Sequence, residues 1–217
     1  MKRVLITGAS GMVGHLILEQ CLSSSEVVEV ISLVRKPSLK THPKLKEEVV
    51  SDFTSYQQMT HHFEAIDAAF FCIGVYTGEV PDAKFKEITV DYAVNFAKVL
   101  KRKSPNAIMC LLSGAGADRT EKSRTSFAKY KGMAENAISR LELEFYAFRP
   151  AYIYPVTPRK EPNVMYKILR VMYPLMKRIS PSSSIKSTEL ARAMFTVALN
   201  GAEKEILENM DILKLVQ

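Results

Sequence analysis

The 217-residue chain carries a net charge of +7, with 47% hydrophobic and 24% charged residues. That balance suits one globular core and excludes a disordered polyelectrolyte. No apolar run approaches the roughly 20 residues that span a bilayer, and Met1-Lys2-Arg3 leads directly into an apolar segment without a small-residue cleavage site, so neither a membrane span nor a signal peptide is expected.

Val4-Leu5-Ile6-Thr7 closes an apolar strand expected over 2–7, and Gly8-Ala9-Ser10-Gly11-Met12-Val13-Gly14 opens a helix expected over 12–23. Strand, glycine turn and helix in this order build a dinucleotide site. Gly8 allows the tight turn, Gly11 lets backbone N–H groups approach a pyrophosphate, and Gly14 lets helix and strand pack closely. The helix N-terminus adds unpaired donors and a favourable dipole. The spacing is G-x-x-G-x-x-G; an ordinary tight turn opening an α/β domain is the alternative.

A second strand is expected over 27–34 and ends Val34-Arg35-Lys36, with no Asp or Glu at its end. In such folds this point faces the adenosine ribose. A carboxylate there binds the 2′-hydroxyl of NAD, whereas a guanidinium grips the 2′-phosphate of NADP. Arg35 and Lys36 therefore favour NADP over NAD; a solvent-facing arginine is the alternative. A loop over 36–46 and a short strand over 47–50 follow, then Asp52 and Phe53, candidates for the adenine amino group and ring. Asp52 also suits a turn cap. His15, on the first helix, could reach the pyrophosphate or face solvent.

A short helix is expected over 55–63 with Thr54 or Ser55 as cap, a strand over 67–73, a loop over 74–81 and a long helix over 83–102. A strand over 107–112, a helix over 123–141 and a strand over 145–148 complete the alternation. Continuous apolar strands between helices imply a three-layer, doubly wound parallel sheet of the Rossmann-like α/β class, with ligands at the C-terminal strand ends. Cys21, Cys72 and Cys110 are scattered and few; they read as reduced, buried thiols of a cytoplasmic protein, with no metal site. His61-His62 reads as a surface pair. The basic charge is dispersed without a nucleic-acid-binding pattern, so no nucleic-acid partner is expected.

Thr7-Gly8-Ala9-Ser10-Gly11-Met12-Val13-Gly14, the Arg35 ending, Val50-Ser51-Asp52-Phe53, Phe71-Cys72-Ile73-Gly74, Val90-Asp91-Tyr92, Leu111 to Asp118 and Phe148-Arg149-Pro150 together resemble the extended and atypical short-chain dehydrogenases, nearest the subgroup similar to the Tat-interacting protein. The resemblance covers nearly the whole chain. It implies an NADPH-binding oxidoreductase, with Ser10, Met12, Val13, Cys72, Ile73, Gly74 and Pro150 lining the cofactor. The family's chemistry uses a serine, and a tyrosine four residues before a lysine. Ser113 matches the serine and Lys131 the lysine, but the tyrosine position is Phe127, which has no proton to transfer. Tyr130 is the substitute candidate; a packing or surface tyrosine is its alternative. Tyr76 could border the nicotinamide side, and Asp91 is expected to bond backbone near the strand over 107–112.

The core over 1–150 is thus expected to bind the dinucleotide, and residues 151–217 to supply substrate-side elements within the same domain. These include a Met-rich helix over 163–179 interrupted by Pro174, a helix over 187–200 capped by Ser187-Thr188-Glu189, and an edge strand within 205–216. The reading is an NADPH-dependent reductase of a small, partly apolar substrate, monomeric or homodimeric. The alternative is a non-catalytic NADP(H) sensor that binds a protein partner.

Overall fold

The computed structural model describes residues 1–157, 168, 170–173, 178 and 180–216. Seven parallel strands form the central sheet: β1 Lys2–Thr7, β2 Val27–Val34, β3 Leu45–Val49, β4 Ala68–Phe71, β5 Ile108–Leu112, β6 Phe145–Arg149 and, at the edge, Ile206–Glu208 (β9). Their spatial order is β3-β2-β1-β4-β5-β6-β9. Tyr152–Tyr154 (β7) and Ser184–Lys186 (β8) form a separate two-stranded parallel ribbon. The crossovers are α1 Met12–Ser23, α2 Asp82–Lys86 continuing through a π turn (Glu87–Asp91) into α3 Tyr92–Lys103, and α4 Ser126–Ser139. Helices α5 Ser187–Asn200 and α6 Asn209–Lys214 follow.

The strands alternate their side chains between two apolar layers. On one face Val4, Ile6, Phe70 and Cys110 meet Ile17 and Cys21 of α1 and Met194 and Val197 of α5. On the other, Leu5, Phe71, Met109 and Ala147 meet Phe96 and Leu100 of α3 and Ile138 of α4. Burial on both faces explains why these strands read as unbroken apolar runs. Register then fixes the functional edge. Thr7 pairs with Leu33 and Phe71, Phe71 with Leu111, and Leu112 with Phe148. The chain therefore leaves β1, β4, β5 and β6 at one level, bringing the segments after Thr7, Phe71, Leu112 and Arg149 together.

Several expectations are corrected. β3 starts at Leu45, two residues early, because Leu45–Val49 pairs Val30–Val34 in unbroken register. The helix expected over 55–63 is a 3-10 segment from Gln57 to Phe63 without a side-chain cap. Thr54 instead donates to Asp52. Helix α5 begins at Ser187, with Lys186 as its N-cap: the Glu189 carboxylate accepts the Lys186 N–H at 2.9 Å, and Ser187 Oγ accepts the Val156 N–H at 3.3 Å. Among the described residues the Asp91 side chain makes no bond to backbone; its carboxylate stands 3.8 Å from Lys86 Nζ. Of the helix expected over 163–179, residues 168, 170–173 and 178 are described and helical, and the remainder, Pro174 included, lies outside the described residues. Tyr173 stacks on Tyr154 at 3.8 Å between ring centroids. Among the described residues, no helix is long and apolar enough to cross a membrane.

Candidate active site

A groove of about 570 Å³ opens at the common C-terminal level of β1, β4, β5 and β6. Its floor is Gly11–Gly14, one wall is Cys72-Ile73-Gly74 with Tyr76, and the other is Ser113-Gly114 with Phe127 and Lys131. Pro150 and Tyr152 of the segment after β6 close the end. Backbone bonds tie these walls together: the Ser113 N–H donates to Phe148 O at 2.8 Å, and the Ala115 N–H to Pro150 O at 3.0 Å.

The floor has the shape an anionic ligand needs. Gly8 adopts φ +81°, a left-handed conformation that side-chain-bearing residues avoid. A Cβ on Gly14 would lie 2.2 Å from Gly8 O, so helix and turn touch backbone to backbone. A Cβ on Gly11 would meet only Gly8 O, at 3.2 Å; its other side is open groove. No side chain caps the first turn of α1, and no acidic residue lies in it. The turn's N–H groups and the positive end of the helix dipole thus face the groove, as a pyrophosphate requires. Met12 and Val13 line this floor, while Ser10 is exposed on the turn.

Arg35 and Lys36 leave the sheet beside the glycine turn, since Leu33 pairs with Thr7. Both are exposed. Asp52 is also exposed, and its carboxylate accepts the Thr54 N–H and hydroxyl, each at 2.7 Å, which holds its pKa below the usual carboxylate range. The turn-cap reading of Asp52 is therefore realised, with oxygen lone pairs still facing solvent. The Phe53 side chain is 5% exposed and packs against Tyr56 and Tyr92. Its ring belongs to the core, so the surface it offers beside an adenine is small. His15 is exposed, 3.8 Å from Glu19. The His61 and His62 rings lie 3.8 Å apart, tilted by 43°, and among the described residues no group of three metal-ligating side chains gathers.

The reacting wall differs from a serine–tyrosine–lysine site. Phe127 occupies the tyrosine position, its ring tip pressed on Gly114: Cζ would stand 2.5 Å from a Cβ there. Tyr130 is not in the groove. Its hydroxyl donates to Asp82 Oδ2 at 2.6 Å, beside a Ser126–Asp82 bond, and this carboxylate raises the phenol's pKa. One residue before Lys131 on α4, it is turned toward α2, which removes it as a groove acid. Lys131 is half-buried, and its Nζ donates to Leu112 O at 3.0 Å. Enclosure by protein pulls its pKa down to about 8, against the opposing attraction of Glu135 and Cys72. Burial pushes the Cys72 and Cys21 thiols up to about 12 and that of Cys110 well above its usual value, so all three stay protonated.

Behind Ser113 lies a network that motif reading missed. The serine is 7% exposed and Glu135 fully buried. Ser113 Oγ donates to Glu135 Oε1 at 2.5 Å, and Arg149 Nε reaches the same oxygen at 3.0 Å. Arg149 Nη2 and Arg119 Nε donate to Oε2 at 2.5 and 3.2 Å. Arg149 also pairs with Glu208, and Arg119 with Glu205. The available signal was Glu135 one turn beyond Lys131 on α4, on the side facing Ser113.

Comparison with known proteins follows this geometry. The model of the NAD(P)H-binding family matches residues 8–200. No curated protein matches the sequence. Among solved structures, the enzyme WbmH of Bordetella bronchiseptica, in complex with NAD+, superposes with a TM-score of 0.68 at 18% identity, covering 92% of this chain and 72% of its own. Gre2 of Candida albicans, in complex with NADPH, gives 0.72 at 13% identity, covering 94% and 77%. A short-chain dehydrogenase/reductase of Saccharomyces cerevisiae gives 0.67 at 15% identity over 100% of both chains. At such identities the likeness establishes the Rossmann-like fold.

Proposed function

Since this chain belongs to the NAD(P)H-binding family, we propose that it is an NADPH-dependent oxidoreductase of a small, partly apolar substrate. The observation that carries this reading is the shared groove: an uncapped, glycine-lined helix N-terminus on its floor, with Lys131 and Ser113 on its wall. The first turn of α1 would hold the pyrophosphate, and Lys131 the hydroxyls of the nicotinamide ribose. Asp52 would accept the adenine amino group. The bound cofactor supplies hydride; Tyr76, Phe127, Tyr152 and Ile153 supply an apolar surround that excludes water from the reacting centre.

The preference for NADPH rests on Arg35 and Lys36, which form no ion pair among the described residues and have no carboxylate beside them at the end of β2. A guanidinium can grip a phosphate through two parallel bonds. Losing it should cost about 1.5–3 kcal/mol, roughly 10- to 150-fold in Kd. Calorimetric titration of NADPH and NADH into wild type and Arg35→Ala tests this; equal wild-type affinities would refute the assignment. Likeness to the Tat-interacting-protein subgroup is part of the proposal, as is the cytoplasm, which three protonated thiols suit. One observation favours a second reading, a non-catalytic NADP(H) sensor: Phe127 stands where the acid would be. Absence of turnover together with NADPH-dependent affinity for a protein partner would favour it.

A further inference from the structure

We propose that Lys131 is itself the proton donor of this groove, its ammonium rather than a hydroxyl protonating the substrate as hydride arrives. This rests on the reductase reading above.

The argument concerns which protons are available. Guanidinium groups only donate, so both oxygens of Glu135 act as acceptors toward Arg119 and Arg149. The Ser113 hydroxyl is therefore the donor in its bond to Glu135. Its one proton points away from the groove, and it offers the groove only lone pairs. Phe127 has no proton. Tyr130 donates its proton to Asp82 on the far side of α4. Lys131 has three protons, of which the bond to Leu112 O uses one. It is the only cationic side chain among the described residues lining the groove.

The surroundings of Lys131 tune it for this task. Glu135 and the Phe127 ring face it from α4, the Cys72 thiol from the end of β4 and the Leu112 carbonyl from β5; Arg119 and Arg149 lie beyond Glu135, drawing its field away. Enclosure outweighs the attraction of Glu135, so the ammonium releases a proton far more readily than a lysine in water. An acid titrating near the working pH is the efficient kind. The step balances. The substrate gains two electrons and a hydrogen as hydride from the reduced nicotinamide, which is oxidised. One N–H bond of Lys131 breaks as the product's O–H or N–H bond forms. The neutral amine then takes a proton from water.

Lys131→Arg separates this role from ribose binding, because a guanidinium keeps the charge and donors but does not release a proton near neutral pH. Three measurements decide. The first needs neither cofactor nor turnover: in ¹³C-lysine-labelled wild type, the resonance absent from Lys131→Arg should titrate near pH 8. The second is calorimetry of NADPH binding in buffers of different ionisation enthalpy. Wild type should take up protons at pH 8 and Lys131→Arg should not, with its Kd within about tenfold of wild type. The third is NADPH-dependent reduction of phenanthrenequinone. Wild-type kcat should fall as pH rises through the lysine's titration; in Lys131→Arg it should be pH-independent and about 10²–10⁴-fold lower. Tyr76 and Tyr152 line the same groove, so Tyr76→Phe and Tyr152→Phe can change the size of kcat, but the pH at which it falls should stay that of wild type. A Lys131 titration at the ordinary lysine pH, or a pH limb lost in a tyrosine variant and kept in Lys131→Arg, overturns the proposal alone. A wild type that binds no NADPH, or binds it and reduces nothing, overturns the reductase reading and the proposal with it.

Discussion

Gly11→Val separates cofactor binding from folding. Gly11 has φ −78° and ψ 167°, an extended conformation that a β-branched residue accepts. Its Cβ would have one protein neighbour, Gly8 O at 3.2 Å, a contact that a few tenths of an ångström relieve. The fold should therefore lose less than about 1 kcal/mol. The valine methyls project instead into the groove, over the first-turn N–H groups of α1. Holding the pyrophosphate off two charge-assisted bonds, each worth about 1.5–3 kcal/mol, should weaken NADPH binding by at least 100-fold. Gly14→Ala is the contrasting variant. Its Cβ would lie 2.2 Å from backbone oxygen, which cannot swing aside, so helix and turn must separate. It should lose about 1–3 kcal/mol or more of stability as well as binding. Urea denaturation gives the first quantity and NADPH fluorescence titration the second. A well-folded Gly11→Val protein that binds NADPH as wild type does would refute the cradle.

The remaining predictions follow from the same contacts. Gly132→Ala places a Cβ 1.8 Å from Asp118 O; α4 must retreat by over an ångström, and urea denaturation should show a loss of about 3 kcal/mol with weakened NADPH binding, since Lys131 moves too. Phe127→Tyr should lower stability by about 1–3 kcal/mol without raising carbonyl turnover, because the ring tip already presses on Gly114 and the hydroxyl has no room there; a stable variant with faster turnover would show that the ring swings freely. Lys131→Met should be at least as stable as wild type at pH 7, where the protein bears the burden of an enclosed ammonium. The folded pKa of about 8 lies below that of a free lysine, roughly 10.4. Between these values the unfolded chain binds more protons, so wild-type stability should gain on that of the variant as pH rises through this window; parallel profiles in urea melts would refute it.

The sheet was legible because each buried strand is an apolar run with few polar interruptions, and because Gly8 and Gly14 are glycines for steric reasons a reader can reconstruct. Other features are silent in a one-dimensional reading. Glu135 looks like any helix-surface carboxylate until Arg119 and Arg149 are seen to converge on it from two other segments. Tyr130 is separated from Lys131 by one residue step, roughly 100° of helix rotation, and that step turns it from the groove to Asp82. Phe53 reads as a neighbour of the adenine ring beside Asp52, yet it packs on Tyr56 and Tyr92 at the edge of an aromatic core with Phe63 and Phe96. β7 and β8 are three residues each, too short for a period to register.

The clasp on Ser113 has a consequence for how the protein is made. Its outer partners come late: Glu205 lies 86 residues beyond Arg119, and Glu208 59 beyond Arg149. Synthesis proceeds from the N-terminus, and completed parts begin to fold as they emerge. Arg119 and Arg149 therefore wait for counter-charges that the edge strand β9 delivers, just as α1, behind the glycine floor, waits for Met194 and Val197 of α5. A stalled or clipped chain lacking that strand would leave the reacting wall unfinished, with Arg119 and Arg149 deprived of their outer carboxylates.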